Sequence, residues 1–180
     1  WEAASEYFRV SPDALLHLSV PQFLQWARCG SVLCRESPTV GAAFFRASPL
    51  SLPRLKADEF ENWAYLGRAL YRGTWKSGAL AAKFFEVSGP LLKHMSYHEL
   101  ASFADLVNAL SGKSAELAAD CLALGQQVLP DLGEHRQALI RLSHVVAEHN
   151  WREVKSSMES AAKGAAHLES SARGRLLELA

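Results

Sequence analysis

Apolar residues recur along most of the chain at intervals of three and four, which is the spacing of the buried face of an α-helix. Phe60, Trp63 and Leu70 lie on one such stripe, and Phe103 and Leu110 lie on another. The alternation of apolar and polar residues that is typical of β-strands is essentially absent. The pattern therefore predicts an all-α fold.

Serine and proline mark several candidate helix starts. Serine caps a helix N-terminus, proline is favoured at the first helical position, and serine three residues before Gln or Glu has the spacing of a capping box. The Ser-Pro pairs are Ser11-Pro12, Ser37-Pro38 and Ser48-Pro49, and the capping-box pairs include Ser19 with Gln22 and Ser96 with Glu99. A helix is predicted to begin at each of them.

The phrase GAAFFRAS at residues 41–48 returns as AAKFFEVS at residues 81–88. Several columns of residues share the same steps of 37, 40 and 37 positions. The columns are an aromatic pair (Tyr7-Phe8, Phe44-Phe45, Phe84-Phe85, then Cys121-Leu122), a small residue (Ser11, Ser48, Ser88, Gly125), a large apolar residue (Trp26, Trp63, Phe103, Ile140), and a fourth series (Gly30, Gly67, Val107, His144). A period of about 20–50 residues indicates stacked repeats.

Each repeat is predicted to contain two long helices and a short connector helix, for example 58–72, 75–88 and 88–95. A single unit would expose an apolar face, which the neighbouring units cover. We therefore predict a right-handed α-solenoid of about four 37–40-residue repeats over residues 1–150. The Ala-, Ser- and Gly-rich residues 151–180 are predicted to form an atypical capping helix or pair of helices of the same domain.

The repeated residues also predict how the helices pack. Adjacent residues of a helix point in different directions, so the two aromatics of each pair are expected to contact different neighbours. Glycine inside a helix costs about 1 kcal/mol relative to alanine, and its recurrence in one column indicates that helices approach closely there. The side chains expected to be buried are Trp26, Phe45, Trp63, Phe85 and Phe103.

Composition and charge narrow the classes of function. The 180 residues are 49% hydrophobic, and the 19 basic side chains balance the 19 acidic ones. A nucleic-acid-binding protein usually has a basic excess, so we predict a protein partner rather than a nucleic acid. No apolar run is long enough to span a membrane and no signal peptide is visible, which predicts a cytoplasmic protein.

Candidate catalytic and metal-binding residues are few. The three cysteines, Cys29, Cys34 and Cys121, lack metal-ligand spacing and are predicted to be free thiols. His94 and His98 have a spacing that could bind a metal on one helix, but Ser96 and Glu99 predict a helix start between them. We therefore predict no metal, no cofactor and no enzymatic activity.

Trp63, Leu66, Gly67 and Ala79 resemble the tetratricopeptide consensus, in which Trp, Leu-Gly and a later Ala recur at these offsets. The aromatic after the alanine is displaced by one position, and the period of 37–40 is longer than that of the consensus. The resemblance implies a related helical repeat, and the peptide contacts of that family are not transferred to this chain.

The pattern Trp-x3-Gly followed by Ala-x-Phe-Phe-x2-Ser-Pro resembles the helical repeats of nitric-oxide-reductase activation proteins, which precede a von Willebrand A domain. The resemblance covers roughly residues 4–125, and the Asp-x-Ser-x-Ser metal motif of that domain is absent. It implies an adaptor part of a metalloenzyme-activation protein, with a ring-forming ATPase as partner.

Arg68, Arg72 and Trp75 lie outside the repeated columns, and arginine with tryptophan is typical of interaction hot spots. We predict that these residues contact a protein partner and that the chain is a non-catalytic scaffold. Two alternatives are a helical domain with a small-ligand or catalytic cleft lined by histidines, and a helical nucleic-acid-binding protein.

Overall fold

Helices account for all regular secondary structure in the part of the chain that the structure describes. The structure is a computed structural model and describes residues 1–56, 59–73, 78–147, 150, 152, 155–156, 158–160 and 163–164. The helices are α1 (Glu2–His17), α2 (Val20–Glu36), α3 (Pro38–Ser51), α4 (Glu59–Gly73), α5 (Gly78–Leu91), α6 (Tyr97–Ser111), α7 (Ala115–Val128) and α8 (Arg136–Ala147). Short 3-10 segments follow α3 (Leu52–Arg54) and α7 (Leu129–His135). The predicted all-α class is confirmed.

The helices pack in two layers. Along one layer α1, α3, α5 and α7 contact one another in succession, and along the other α2, α4, α6 and α8 do the same. Each even-numbered helix from α2 to α6 also packs against the odd-numbered helix that follows it. The apolar side chains between the layers form one continuous core.

Short polar motifs set the helix starts where the sequence predicts them correctly. Ser37 is the N-cap of α3 and accepts a hydrogen bond from the Val40 amide, with Pro38 as the first helical residue. Ser96 caps α6, and Glu99 accepts from the Ser96 amide at 2.7 Å to complete the box. These caps satisfy amide groups that lack a partner inside the helix.

Two of the predicted Ser-Pro starts are wrong. Pro12 lies inside α1 and Pro49 inside α3, so each helix continues through its Ser-Pro pair. Instead of capping a new helix, Ser48 donates to the Phe44 carbonyl of its own helix. The separate connector helices predicted after these pairs are accordingly replaced by the last turns of the long helices, with a three-residue 3-10 segment after α3.

The predicted burial of the five named aromatic side chains is confirmed. Trp26, Trp63, Phe85 and Phe103 are fully buried, and Phe45 is 3% exposed. These side chains lie between consecutive helices of the core.

The glycine column explains how the rings fit. A β-carbon on Gly30 would lie 2.1 Å from Cζ of Phe45, and one on Gly67 would lie 2.1 Å from Cζ of Phe85. Each phenyl ring therefore packs directly on the backbone of the preceding helix, where any side chain would collide with it.

The first aromatic of each pair points to the next helix pair. Tyr7 stacks on Trp26 at a ring-centroid distance of 5.7 Å, and Phe44 packs against Trp63 at 5.0 Å. Phe44 also meets Phe85 edge-on at 5.5 Å. For the pair Phe44-Phe45 the prediction is confirmed in part, since Phe44 alone reaches Trp63 and Phe85 and Phe45 alone meets Tyr7, while both rings also contact Trp26.

A buried polar pair accompanies Trp26 and Trp63, the two tryptophans of the described core. The Trp26 indole N–H donates to Ser48 Oγ at 2.9 Å, and the Trp63 indole N–H donates to Ser88 Oγ at 2.9 Å. Each serine hydroxyl in turn donates to a carbonyl of its own helix. The indole N–H and the hydroxyl are both hydrogen-bonded, as buried polar groups must be to avoid a desolvation penalty.

In the third helix pair, α6 and α7, the tryptophan and the serine are both replaced by other residues. Phe103 replaces the tryptophan and Gly125 replaces the serine, so the N–H and its acceptor disappear at once. A β-carbon on Gly125 would lie 2.2 Å from Cζ of Phe103. In this pair the ring is therefore on the even-numbered helix and the glycine on the odd-numbered one, the reverse of the earlier pairs. Val107 and Leu122 stand at the positions that Gly67 and Phe85 occupy one repeat earlier.

The C-terminal segment is described only in part. Met158 follows Cys121 by 37 positions and is buried, like the earlier members of that column from Phe44 onward. Most of residues 151–180, including everything after 164, lies outside the described residues. The boundary between a repeat array over 1–150 and a cap over 151–180 stays a prediction.

Gly67→Val is expected to lower the free energy of unfolding by about 3 kcal/mol, because overpacking a core costs about 1–3 kcal/mol and the ring has nowhere to move. Adding Phe85→Leu should recover at least half of this loss, since it reproduces the Val107 and Leu122 pair. Urea denaturation of the single and double variants would measure the coupling. Gly112→Val, at an exposed helix end, is the control, and additive effects of the two core changes would contradict the interpretation.

Ser88→Ala should cost about 1–3 kcal/mol, because it leaves the indole N–H of Trp63 buried without an acceptor. Ser11→Ala is the control, since Ser11 also donates to a carbonyl of its own helix, that of Tyr7 at 2.6 Å, but receives no indole N–H from a described residue. We expect the control to change stability by less than about 0.5 kcal/mol. Equal losses in chemical denaturation would show that the indole bond contributes nothing.

Candidate partner-binding groove

A groove of about 560 Å³ runs between α2 and α4. It is formed by equivalent turns of two helices, since Leu24 and Glu61 are 37 positions apart, as are Arg28 and Tyr65. Its lining residues are Pro21, Leu24, Gln25, Arg28, Cys29, Val32, Leu33, Glu61, Ala64, Tyr65 and Arg68.

Large apolar and aromatic side chains stand exposed on the groove walls. Leu24 is 64% exposed and Tyr65 is 65% exposed, while Leu33 and Ala64 are buried in the floor. A concave surface with an apolar floor and an exposed tyrosine has the composition of a protein-binding site. Tyr65 and Leu24 lie on different helices, so only the fold places them on opposite walls of one groove.

Opposite charges line the two walls. Arg28 on α2 and Glu61 on α4 are exposed, and neither makes an ion pair within the described part of the chain. Each is therefore available to a charged group on a ligand. Sequence reasoning missed Arg28, whose signal would have been its position one repeat before Tyr65.

Arg68 and Arg72, predicted to contact a partner, both bind Glu36 at the end of α2. Glu36 Oε1 accepts from Arg68 at 2.9 and 2.6 Å and from Arg72 at 2.6 Å. The Tyr71 hydroxyl donates to the Glu36 carbonyl at 2.9 Å. Arg68 also lines the groove, whereas Arg72 does not.

The predicted face is therefore divided by the fold. Arg68 and Arg72 connect α4 to the end of α2, and Trp75 lies outside the described residues. Their contact with a partner stays a prediction, and it would compete with the Glu36 carboxylate for the two guanidinium groups. The hydrogen bond from Arg68, reinforced by Arg72, lowers the pKa of Glu36 below its usual value.

The cysteines are free thiols in the structure. Burial, with a smaller contribution from Glu61, raises the pKa of Cys29 in the groove wall to about 11. Burial also raises the pKa of Cys121 to about 12 and that of Cys34 above its ordinary value. A thiol needs its thiolate form to act as a nucleophile, so these environments disfavour cysteine chemistry at neutral pH.

Histidines do not contribute to the groove lining. His94 follows α5 and His98 lies inside α6, with the Ser96 cap between them, as the sequence predicts. Within the described residues, no group of three or more His, Cys, Asp or Glu side chains could hold a metal ion. None of the described helices combines the length and the apolar composition that a membrane span requires.

Comparison with known proteins gives no match to a protein-family model, a curated protein or a solved structure. The interpretation of the groove therefore depends on its own geometry and chemistry.

Glu36→Gln should lower the free energy of unfolding at pH 7 by about 1–2 kcal/mol, since hydrogen bonds to charged groups contribute about 1.5–3 kcal/mol and partial exposure reduces that contribution. Because the pKa of Glu36 is lowered in the folded state, its contribution is full above the unfolded-state pKa of about 4.3 and is lost as the pH falls through the folded value.

Urea unfolding at pH 7, 5 and 3 would check this, with the difference between wild type and Glu36→Gln shrinking toward pH 3. Glu61→Gln is the control, because Glu61 is exposed and makes no ion pair with a described residue. A difference that stays constant across this pH range would contradict the assigned role of the carboxylate.

Proposed function

We propose that this chain is a non-catalytic helical-repeat scaffold that binds a protein partner in the groove between α2 and α4. The observation that carries the proposal is the exposed Leu24 and Tyr65 pair over an apolar floor. On opposite walls lie the charges of Arg28 and Glu61, which make no ion pair with a described residue. Tyrosine and arginine around an apolar centre are the residues that dominate protein interfaces.

The helices belong, in this proposal, to a right-handed α-solenoid of about four repeats. The alternating contacts of the two helix layers and the recurring Trp-Ser and Gly-Phe contacts support it. In such a stack the inward positions are used for packing, so a binding surface forms from the outward residues of successive helices.

The partner segment suited to this groove presents an apolar side chain between an acidic and a basic residue. The acidic residue would face Arg28 and the basic one Glu61, while the apolar side chain would pack between Leu24 and Tyr65. The resemblance to nitric-oxide-reductase activation proteins would make a ring-forming ATPase the partner. The cytoplasm, predicted from the sequence pattern, would be the place of action.

The two other functions have less support. A catalytic cleft lined by histidines is disfavoured because the groove lining contains no histidine and its one thiol, Cys29, has a raised pKa. Nucleic-acid binding is disfavoured because Glu61 lies in the groove and Glu36 already binds Arg68. Phosphate recognition requires arginine side chains whose charge is available.

A photo-crosslinking residue at position 65 should capture the partner from cell extract, and mass spectrometry would identify the crosslinked segment. The purified partner should then bind Arg28→Glu/Tyr65→Ala at least about tenfold more weakly than wild type, the equivalent of about 1.4 kcal/mol. Calorimetry would measure both affinities.

Arg141→Glu, at an exposed position of α8 outside the groove lining, is the matched control and should bind like wild type. Circular dichroism should show unchanged helicity and melting temperature for both variants, since surface changes usually alter stability by less than about 0.5 kcal/mol. Equal affinity of the groove variant and wild type would show that the groove is not the binding site.

A further inference from the structure

The outer face of α1 carries a core residue that no described helix covers. Phe8 is 74% exposed, although its equivalents Phe45 and Phe85 are 3% and 0% exposed. Those two rings are covered by the preceding helices at Gly30 and Gly67. Phe8 thus has the residue type and the register of a buried ring, but no described helix packs on it.

Leu15 and Ser11, on the same helix, also lack contacts that their equivalents in the later repeats make. Leu15 is 52% exposed, whereas Leu52 and Leu92, its equivalents at steps of 37 and 40, are 4% and 6% exposed. Ser11 bonds to its own helix as Ser48 does, but it accepts no hydrogen bond from a described tryptophan. The acceptor that the repeated interface uses is therefore still open on Ser11.

A notch of about 420 Å³ adjoins this face between α1 and α2. Ser31 and Cys34 line it, and they hold the positions that Arg68 and Tyr71 hold one repeat later. Arg68 and Tyr71 reach to Glu36 at the end of the preceding even-numbered helix. With small residues in their place, the notch leaves room for a large side chain from the last turn of a helix lying on α1.

We propose that the outer face of α1 is a binding site for one amphipathic partner helix, antiparallel to α1, with a tryptophan followed four residues later by a glycine. The glycine packs on the Phe8 ring, and the indole N–H donates to Ser11 Oγ. The antiparallel direction follows from the existing interface, in which Trp26 meets Ser48 while Gly30 meets Phe45. The site continues the layer of contacts already made by α2 and α4, and it is independent of the groove.

A tethered partner helix tests the site in the complete chain. Residues 57–77, which contain Trp63 and Gly67, are duplicated directly before residue 1, because residue 1 holds the repeat position of residue 78. The fusion should melt about 3–6 °C higher than wild type, since each kcal/mol shifts the melting temperature of a chain of this size by about 2–4 °C. Hydrogen exchange of the α1 amides should slow at least about tenfold.

The matched control is the same fusion with Trp63→Ala and Gly67→Leu in the duplicated copy only, which should give neither effect. Phe8→Ser should shift the melting temperature of the unfused chain by less than about 2 °C, because Phe8 is exposed. In the fusion it should remove most of the gain.

Three results would overturn the proposal. The first is an equal melting temperature and exchange rate for the fusion and its control. The second is a gain that survives Phe8→Ser. The third is self-association of the wild type in sedimentation that Phe8→Ser abolishes, because the face would then bind a second copy of this chain.

Discussion

The packing of a phenyl ring directly on a helix backbone is the contact on which the rest of this structure depends. Phe45 on Gly30 and Phe85 on Gly67 leave no space for a β-carbon, so in these two helix pairs the ring thickness sets how far apart the helices lie at the contact. That separation lets the neighbouring aromatic, Phe44, extend to the next pair and contact Trp63. A change at one glycine would therefore be felt in two successive helix pairs.

The tryptophans impose a second constraint, because an indole buried at this depth must hydrogen-bond its N–H. Ser48 and Ser88 meet that requirement while also satisfying their own hydroxyl protons. Helices α6 and α7 show that the donor and the acceptor depend on each other, since both are absent there. Phe103 removes the donor, and Gly125 removes the acceptor and makes room for the ring.

The candidate groove forms because these packing contacts occupy the inward-facing positions of the helices. The inward faces of α2 and α4 are used by aromatic packing, so Leu24, Arg28 and Tyr65 are displayed on the remaining face. The arginines of α4 have a different use, because Arg68 and Arg72 converge on one carboxylate at the end of α2. These two ion pairs therefore hold α4 against the end of α2, whether or not a ligand is bound.

The sequence by itself determined the all-α class, the equivalent roles of Trp26 and Trp63 37 positions apart, and the burial of the five aromatics that it predicts to be buried. Periodicity and repetition are local records of packing, so they can be read without coordinates. The sequence-based prediction of helix starts is wrong at Ser11-Pro12 and Ser48-Pro49. A Ser-Pro pair is compatible with a helix start, but also with the last turns of a helix in which the serine hydroxyl donates to a carbonyl four residues earlier.

Only the tertiary structure decided which outward residues meet. Arg28 and Tyr65 are 37 residues apart and share a groove, and Glu36 takes both Arg68 and Arg72 from the following even-numbered helix. The sequence likewise does not distinguish Phe8, which is 74% exposed, from Phe45 and Phe85, which share its column and are buried. Such contacts depend on the separation and direction of whole helices. The aromatic and glycine contacts set that arrangement, and a short sequence pattern does not reveal it.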